Sequence, residues 1–146
     1  MRYGYARVST REQDEARQIK ALKNKGVQEI IIEKASGKNF IDRQEWQKLM
    51  SKVVVDDVIV VKSLDRLGQN NAEIKETFEL LSKKQVYLEF IDNDILNTRK
   101  PVTETDKLSQ KLVQPIILHL LGYFAERERE LIRKRQTEAY AQLEVG

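Results

Sequence analysis

Cysteine is absent from the 146 residues, and histidine occurs once, at His119. Disulfides, thiolate metal sites and histidine clusters are thereby excluded. Proline occurs only twice, and no apolar run approaches the roughly 20 residues that a membrane-spanning helix needs. Met1 leads directly into strand-like sequence, without the cationic and apolar segments of a secretory signal. Membrane insertion and secretion are not expected, and a cytoplasmic location is. There is no Walker phosphate loop, no dinucleotide fingerprint, no carboxylate cluster at metal-ligand spacing and no histidine placed to activate a serine. Nucleotide hydrolases and Ser-His-Asp acyl hydrolases lose ground, and neither cofactor nor metal is expected.

What is present suits one packed domain. Hydrophobic residues make up 40% and charged residues 34%, and the length is enough to bury a core without staples. Twenty-six Lys and Arg against 23 Asp and Glu give a net charge of +3. That excess permits polyanion binding but is too small to argue for it, so placement of the charges matters more.

Periodicity supplies the elements. Arg2 to Val8 reads as a strand, and Gln13 to Lys25 as a helix with Ala16, Ile19 and Leu22 on one face and Gly26 as its stop. Glu29 to Glu33 is again strand-like, and Trp46, Leu49, Met50 and Val53 recur at helical spacing after Asp42, a candidate N-cap. Val58 to Val61 is a β-branched run, Asn71 to Lys84 carries Ile74, Phe78 and Leu81 on one helical face, and Val86 to Ile91 is strand-like. Such alternation predicts an α/β fold with a mainly parallel sheet covered by helices.

Residues 93–105 show no apolar period and read as a mobile loop. From about Asp106 one long helical pattern follows, with Pro115 in the first turn of its main part. Its apolar half, from Leu112 to Phe124, gives way to the mixed charges of residues 126–135. The expected division is a core over residues 1–105 and a long helical region over 106–146, within one domain.

In parallel α/β sheets ligands gather beyond the carboxyl ends of the strands. Ser9 follows the first strand, Ser36, Gly37 and Arg43 follow the second, and Asp65 and Arg66 follow the third. These clusters should therefore meet at one edge of the sheet. A hydroxyl among several guanidiniums suits phosphoryl transfer, because guanidinium forks match phosphate oxygens in charge and geometry. Positioned arginines also stabilise the negative charge of a pentavalent transition state.

Tyr5-Ala6-Arg7-Val8-Ser9-Thr10, Ser36-Gly37, Asp42-Arg43, Leu64-Asp65-Arg66-Leu67-Gly68 and Glu128-Arg129-Glu130-Leu131-Ile132 together make the chain resemble the serine recombinases, the resolvases and invertases of DNA. The resemblance covers essentially the whole chain. It implies a three-layer resolvase-like domain followed by a long C-terminal helix, with Ser9 attacking a DNA phosphodiester to give a 5′-phosphoserine link and a free 3′-hydroxyl. It further implies that Arg7, Arg43 and Arg66 cradle the scissile phosphate, that Gln13 and Gln18 help order the site, and that Asp65 positions arginines or assists proton transfer. Arg129 would join from the long helix, and Asp57 would be a nearby acid. The implied partners are double-stranded DNA and further copies of the chain, a dimer that becomes a tetramer during strand exchange.

Each residue also has a plainer reading. Ser9 or Thr10 alone would be a helix N-cap, Asp57 a turn residue, and His119 a packed histidine. Mixed charges from Glu126 to Arg135 commonly mark a solvated helix, although Arg133, Lys134 and Arg135 cluster where a phosphate backbone is expected. One departure from the family pattern bears on activity: Gln69 stands where a second arginine usually follows Leu-Asp-Arg-Leu-Gly. Two other functions stay open at this point, an accessory protein that assembles on DNA without cutting it, and a small serine-dependent phosphoesterase. No helix-turn-helix follows the long helix within these residues, so a C-terminal DNA-binding domain is expected outside this chain.

Overall fold

A computed structural model describes residues 1–8, 12–34, 43–92 and 94–145. The strands are β1 (Arg2–Val8), β2 (Glu29–Lys34), β3 (Val58–Val61) and β4 (Tyr87–Phe90), all parallel and ordered β2-β1-β3-β4. They are joined by α1 (Glu12–Asn24), α2 (Gln44–Lys52) and α3 (Asn71–Lys83). The α/β alternation anticipated from periodicity is thus the observed architecture.

Strand parity sorts the side chains into two apolar layers. Tyr3 and Tyr5 of β1 join Ile59, Val61, Leu88 and Phe90 beneath Trp46 and Leu49 of α2 and Ile74, Phe78 and Leu81 of α3. On the other face Ala6, Val8 and Val60 pack with Leu22 of α1. Gly4 belongs to that second face, where a Cβ would stand 3.2 Å from Leu22, so a larger residue would push α1 away. Gly26 ends α1 at φ +71°, the left-handed conformation that glycine adopts without cost.

α2 starts differently from the expected Asp42 cap, a residue outside those described. The residue before the helix is Arg43, left-handed at φ 38°, and its side chain makes no cap bond. The cap comes instead from β2. Glu33, 7% exposed, accepts from the backbone N–H groups of Glu45 and Trp46, both at 3.2 Å. Its carboxylate satisfies donors that no residue within the helix could reach.

Residues 94–103, expected to be part of a loop, are largely irregular but tied to β4. A short 3-10 turn, Asp94–Leu96, leads to Asn97 and Thr98, whose side chains accept from the N–H groups of Phe90 and Leu88. The Thr98 N–H returns to the Leu88 carbonyl at 2.9 Å. These bonds fasten the segment along β4 without any apolar period, which is why hydrophobic patterning missed it. α4 (Glu104–Leu108) then opens on a capping box between Thr103 and Asp106.

Asp106 also meets Arg99, and its carboxyl is held down to about 2, first by the Thr103 N–H and next by the Val102 N–H. A carboxyl depressed on folding stabilises the cap above the ordinary value near 4 and loses that effect as pH falls toward 2. The protection of the Val102 and Thr103 amides, relative to their intrinsic exchange rates at each pH, should therefore hold down to about pH 4 and fall toward pH 2. Asp106→Asn should show the reduced protection at neutral pH.

The helical region begins slightly before the expected Asp106, and its main part starts next to Pro115, as expected. A π-helical stretch, Ser109–Val113, passes directly into α5 (Gln114–Val145). Pro115 is the second residue of α5, where its missing N–H costs little. The 32 residues of α5 span about 48 Å. Leu121 and Ala125 bury one face against the core, so the helix and the sheet share one apolar cluster. No helix of the described residues is long and apolar enough to cross a membrane.

Candidate phosphodiester site

Beyond the carboxyl end of β1 lies an open cleft of about 550 Å³ lined by Arg7, Asp65, Arg66, Gly68, Gln69, Asn70, Asn71, Ile74 and Glu128. Its position follows from strand parity and a turn. Arg7 shares the face of Tyr5, on the side covered by α2 and α3. Ser63 to Gly68 then leaves β3 through a 3-10 turn, Leu64–Leu67, which presents Asp65 and Arg66 while burying Leu67. The Ser63 hydroxyl donates to Asp65 within this turn.

Arg43 braces the turn from below. It is 8% exposed, and its guanidinium lies 4.7 Å from the Trp46 ring and 5.7 Å from the Tyr5 ring. One terminal nitrogen donates to the Leu67 carbonyl and the other to the Arg66 carbonyl, both at 2.9 Å. Tyr5 and Trp46 meet edge-on with centroids 4.7 Å apart, and the Tyr5 hydroxyl reaches Glu33 at 3.5 Å. The resemblance implied a phosphate contact for Arg43, whereas the geometry commits two of its donors to holding the backbone of Arg66.

The site is electrostatically loaded. Burial pushes the Arg7 guanidinium below its usual range; Tyr5 and Asp65 oppose this, while the positive charges of Arg43 and Arg66 add to it. Three guanidiniums held this close favour a polyanion between them. The Nε atoms of Arg43 and Arg66 are buried without a hydrogen-bond partner among the described residues, and buried donors of that kind are rare unless a ligand completes them.

Gly68 sets how closely the turn approaches α3. A Cβ there would fall 2.6 Å from the Glu73 Cβ and 2.8 Å from the Ile74 nitrogen. The Ile74 backbone cannot yield as a side-chain tip would, so Gly68→Ala should cost about 1–3 kcal/mol in urea unfolding. Asn70 caps α3 by accepting from the Glu73 N–H at 2.9 Å, and the Gln69 N–H donates to the Glu73 carboxylate at 2.7 Å.

The remaining expected residues divide. Gln18 donates to the Arg7 carbonyl at 3.1 Å and so ties α1 to the end of β1. Ser9, Ser36, Gly37 and Asp42 lie outside the described residues, as does the side chain of Gln13. Asp57 stands away from the cleft: it precedes β3, receives the Met1 amino group at 3.0 Å and the Val54 N–H at 2.9 Å, and is 5% exposed. The four residues of β3 separate it from the carboxyl edge by about 13 Å. The expected site acid is a structural residue at the opposite edge, as its plainer turn reading had it.

Arg129 also points elsewhere. It is exposed, pairs with Glu126 at 2.8 Å and faces a groove between α3 and α5. The residue that α5 brings to the arginine cleft is Glu128, whose carboxylate accepts from the Asn71 amide at 2.5 Å. Glu128 lies seven residues after Leu121 and three after Ala125, the helical spacing of one inward face, a signal hidden by the charge run around it. Arg133, Lys134 and Arg135 are exposed farther along α5.

Comparison with known proteins agrees with this geometry. The family described as "Resolvase, N terminal domain" matches residues 2–144. The transposon Tn21 resolvase of Escherichia coli is 34% identical over 140 residues, covering 96% of this chain and 68% of that protein. The transposon Tn3 resolvase of Escherichia coli is 36% identical over 138 residues, covering 93% of this chain and 68% of its own length. In fold, a crystal structure of a resolvase family site-specific recombinase from Streptococcus pneumoniae superposes with a TM-score of 0.69 at 21% identity, covering 99% of this chain and 98% of that one. The arginine cleft, the parallel sheet and the long helix thus stand in a chain that belongs to the resolvase N-terminal domain family of serine recombinases.

Proposed function

We propose that this chain is the catalytic part of a site-specific DNA recombinase that cuts and rejoins double-stranded DNA through Ser9. The observation that carries this reading is the pairing of Arg7 and Arg66 in one cleft at the carboxyl edge of the sheet. The Ser9 oxygen, two residues beyond Arg7 in sequence, attacks phosphorus. The bond from phosphorus to the 3′-oxygen breaks, the 3′-hydroxyl leaves with a proton, and the 5′ end stays on the serine. The two guanidiniums stabilise charge on the equatorial phosphate oxygens. Arg43 acts by holding the turn that presents Arg66. The ester conserves the energy of the cut bond, so rejoining is the reverse attack by a 3′-hydroxyl.

Assembly fits the long helix. Leu112 in the π-helical stretch and Ile116, Leu120, Tyr123 and Phe124 along α5 are 45–58% exposed, beside the buried face of Leu121 and Ala125. A second copy of the chain would cover that apolar stripe, giving a dimer, and two dimers would supply the tetramer that strand exchange requires. Arg133, Lys134 and Arg135 would then lie against the DNA backbone, contributing affinity with little sequence information.

The test is a DNA duplex carrying the cognate site, quenched with denaturant during reaction. A covalent complex holding the 5′ end and leaving a free 3′-hydroxyl is the expected product. Binding without that complex would favour a second reading, an accessory member that assembles on DNA without cutting it, for which Gln69 is the specific observation.

A further inference from the structure

A side-chain hydrogen bond between described residues joins the charged half of α5 to α3, and it is made at the arginine cleft. Glu128 is half-buried on the inward face of α5, about one turn past Ala125, and its carboxylate is held by the Asn71 amide. Asn71 is the first residue of α3, directly after the Asn70 cap, and it lines the same cleft as Arg7 and Arg66. A carboxylate and a phosphate present the same acceptor oxygens, so the group that holds one is suited to the other. Gln69 leaves this wall without the charge that a second arginine would bring. The neighbouring amide is then the donor best placed on the α3 side.

We propose that Asn71 is a ligand for a phosphate of bound DNA, and that Glu128 occupies Asn71 in the DNA-free chain as an anionic gate on the cleft. This rests on the arginine cleft being the phosphate site. On DNA entry the Asn71 N–H passes from carboxylate to phosphate oxygen, and Glu128 turns out toward water. No covalent bond changes in the exchange. A resting carboxylate also excludes stray small anions from the arginines, which makes the cleft selective for a phosphate delivered with a long, multiply contacting duplex.

The experiment measures binding of a fluorescent non-specific duplex at fixed low salt, with every chain carrying Ser9→Ala so that cleavage does not enter. Glu128→Gln should tighten binding about fivefold to tenfold, the effect of removing one like charge near a phosphate. Glu130→Gln is the charge control: it removes the same charge from an exposed position nearby, paired only loosely to Arg127 at 3.8 Å. Adding Asn71→Ala to Glu128→Gln should abolish most of the gain. Equal tightening by Glu128→Gln and Glu130→Gln would overturn the gate, since net charge would then explain both. A double variant that binds as tightly as Glu128→Gln alone would overturn the role of Asn71. Because the readout is binding, a failure here is distinct from failure of the serine linkage.

Discussion

Ser9→Ala should eliminate the covalent DNA complex and lower strand cleavage by about four orders of magnitude or more, the scale on which removing a nucleophile acts in other covalent enzymes. The size of the effect follows from the division of labour. Arg7, Arg66 and the Arg43 brace bind and polarise the phosphate, but none of them can form the ester that stores the energy of the cut bond. Water could replace the serine only by hydrolysing DNA, which destroys that store. Binding of duplex should change little, because the guanidiniums and the basic outer part of α5 remain. Quantifying trapped complex on a denaturing gel, with duplex binding in parallel, checks both halves. Equal trapping by Ser9→Ala would sink the nucleophile assignment, whereas lost binding would show that the substitution had damaged the fold.

The second large effect runs in the opposite direction. Gln69→Arg should raise cleavage about a hundredfold, the usual scale of one charge-assisted contact to a transition-state oxygen. Gln69 is exposed on the wall of the cleft, so a longer side chain has solvent into which to extend. Its backbone N–H is bound to Glu73, and the substitution leaves that bond in place. Glu73 stands four residues on and would attract the new guanidinium, but an exposed pair of this kind is worth under about 1 kcal/mol and yields to a phosphate. Single-turnover cleavage is the appropriate measurement. An unchanged rate would mean that this position does not limit the reaction, and activity appearing in an otherwise inert chain would identify Gln69 as the reason for inertness.

Much of the fold was legible because its signals are periodic. β1, β3 and α3 fall where alternation and helical spacing put them, and Asp65 and Arg66 lie in a cleft at the carboxyl edge, as their place after β3 implies, together with Arg7, which the family resemblance assigned to the site. The misses share a cause: each depends on a contact between residues distant in sequence. Asn97 and Thr98 reach β4 by polar side chains, Glu33 caps α2 from another element, and Arg43 bonds to carbonyls in a turn more than twenty residues away. Asp57 was assigned by resemblance to the wrong edge of the sheet, although its position before β3 already placed it at the amino end. Arg129 and Glu128 are adjacent along α5 and both lie at inward-face spacing from Leu121 and Ala125, so only the contact with Asn71 tells which one reaches the cleft.

The segment that carries Asn97 and Thr98 has a consequence for how copies of this protein can meet. Unprotected outer strands invite neighbouring chains to add on, backbone to backbone, and such growth has no natural stopping point. Here the outward N–H groups of Leu88 and Phe90 already have acceptors within their own chain, so β4 offers no ladder for a stranger to climb. An irreversible strand-to-strand weld on that side of the sheet is blocked by two small polar side chains.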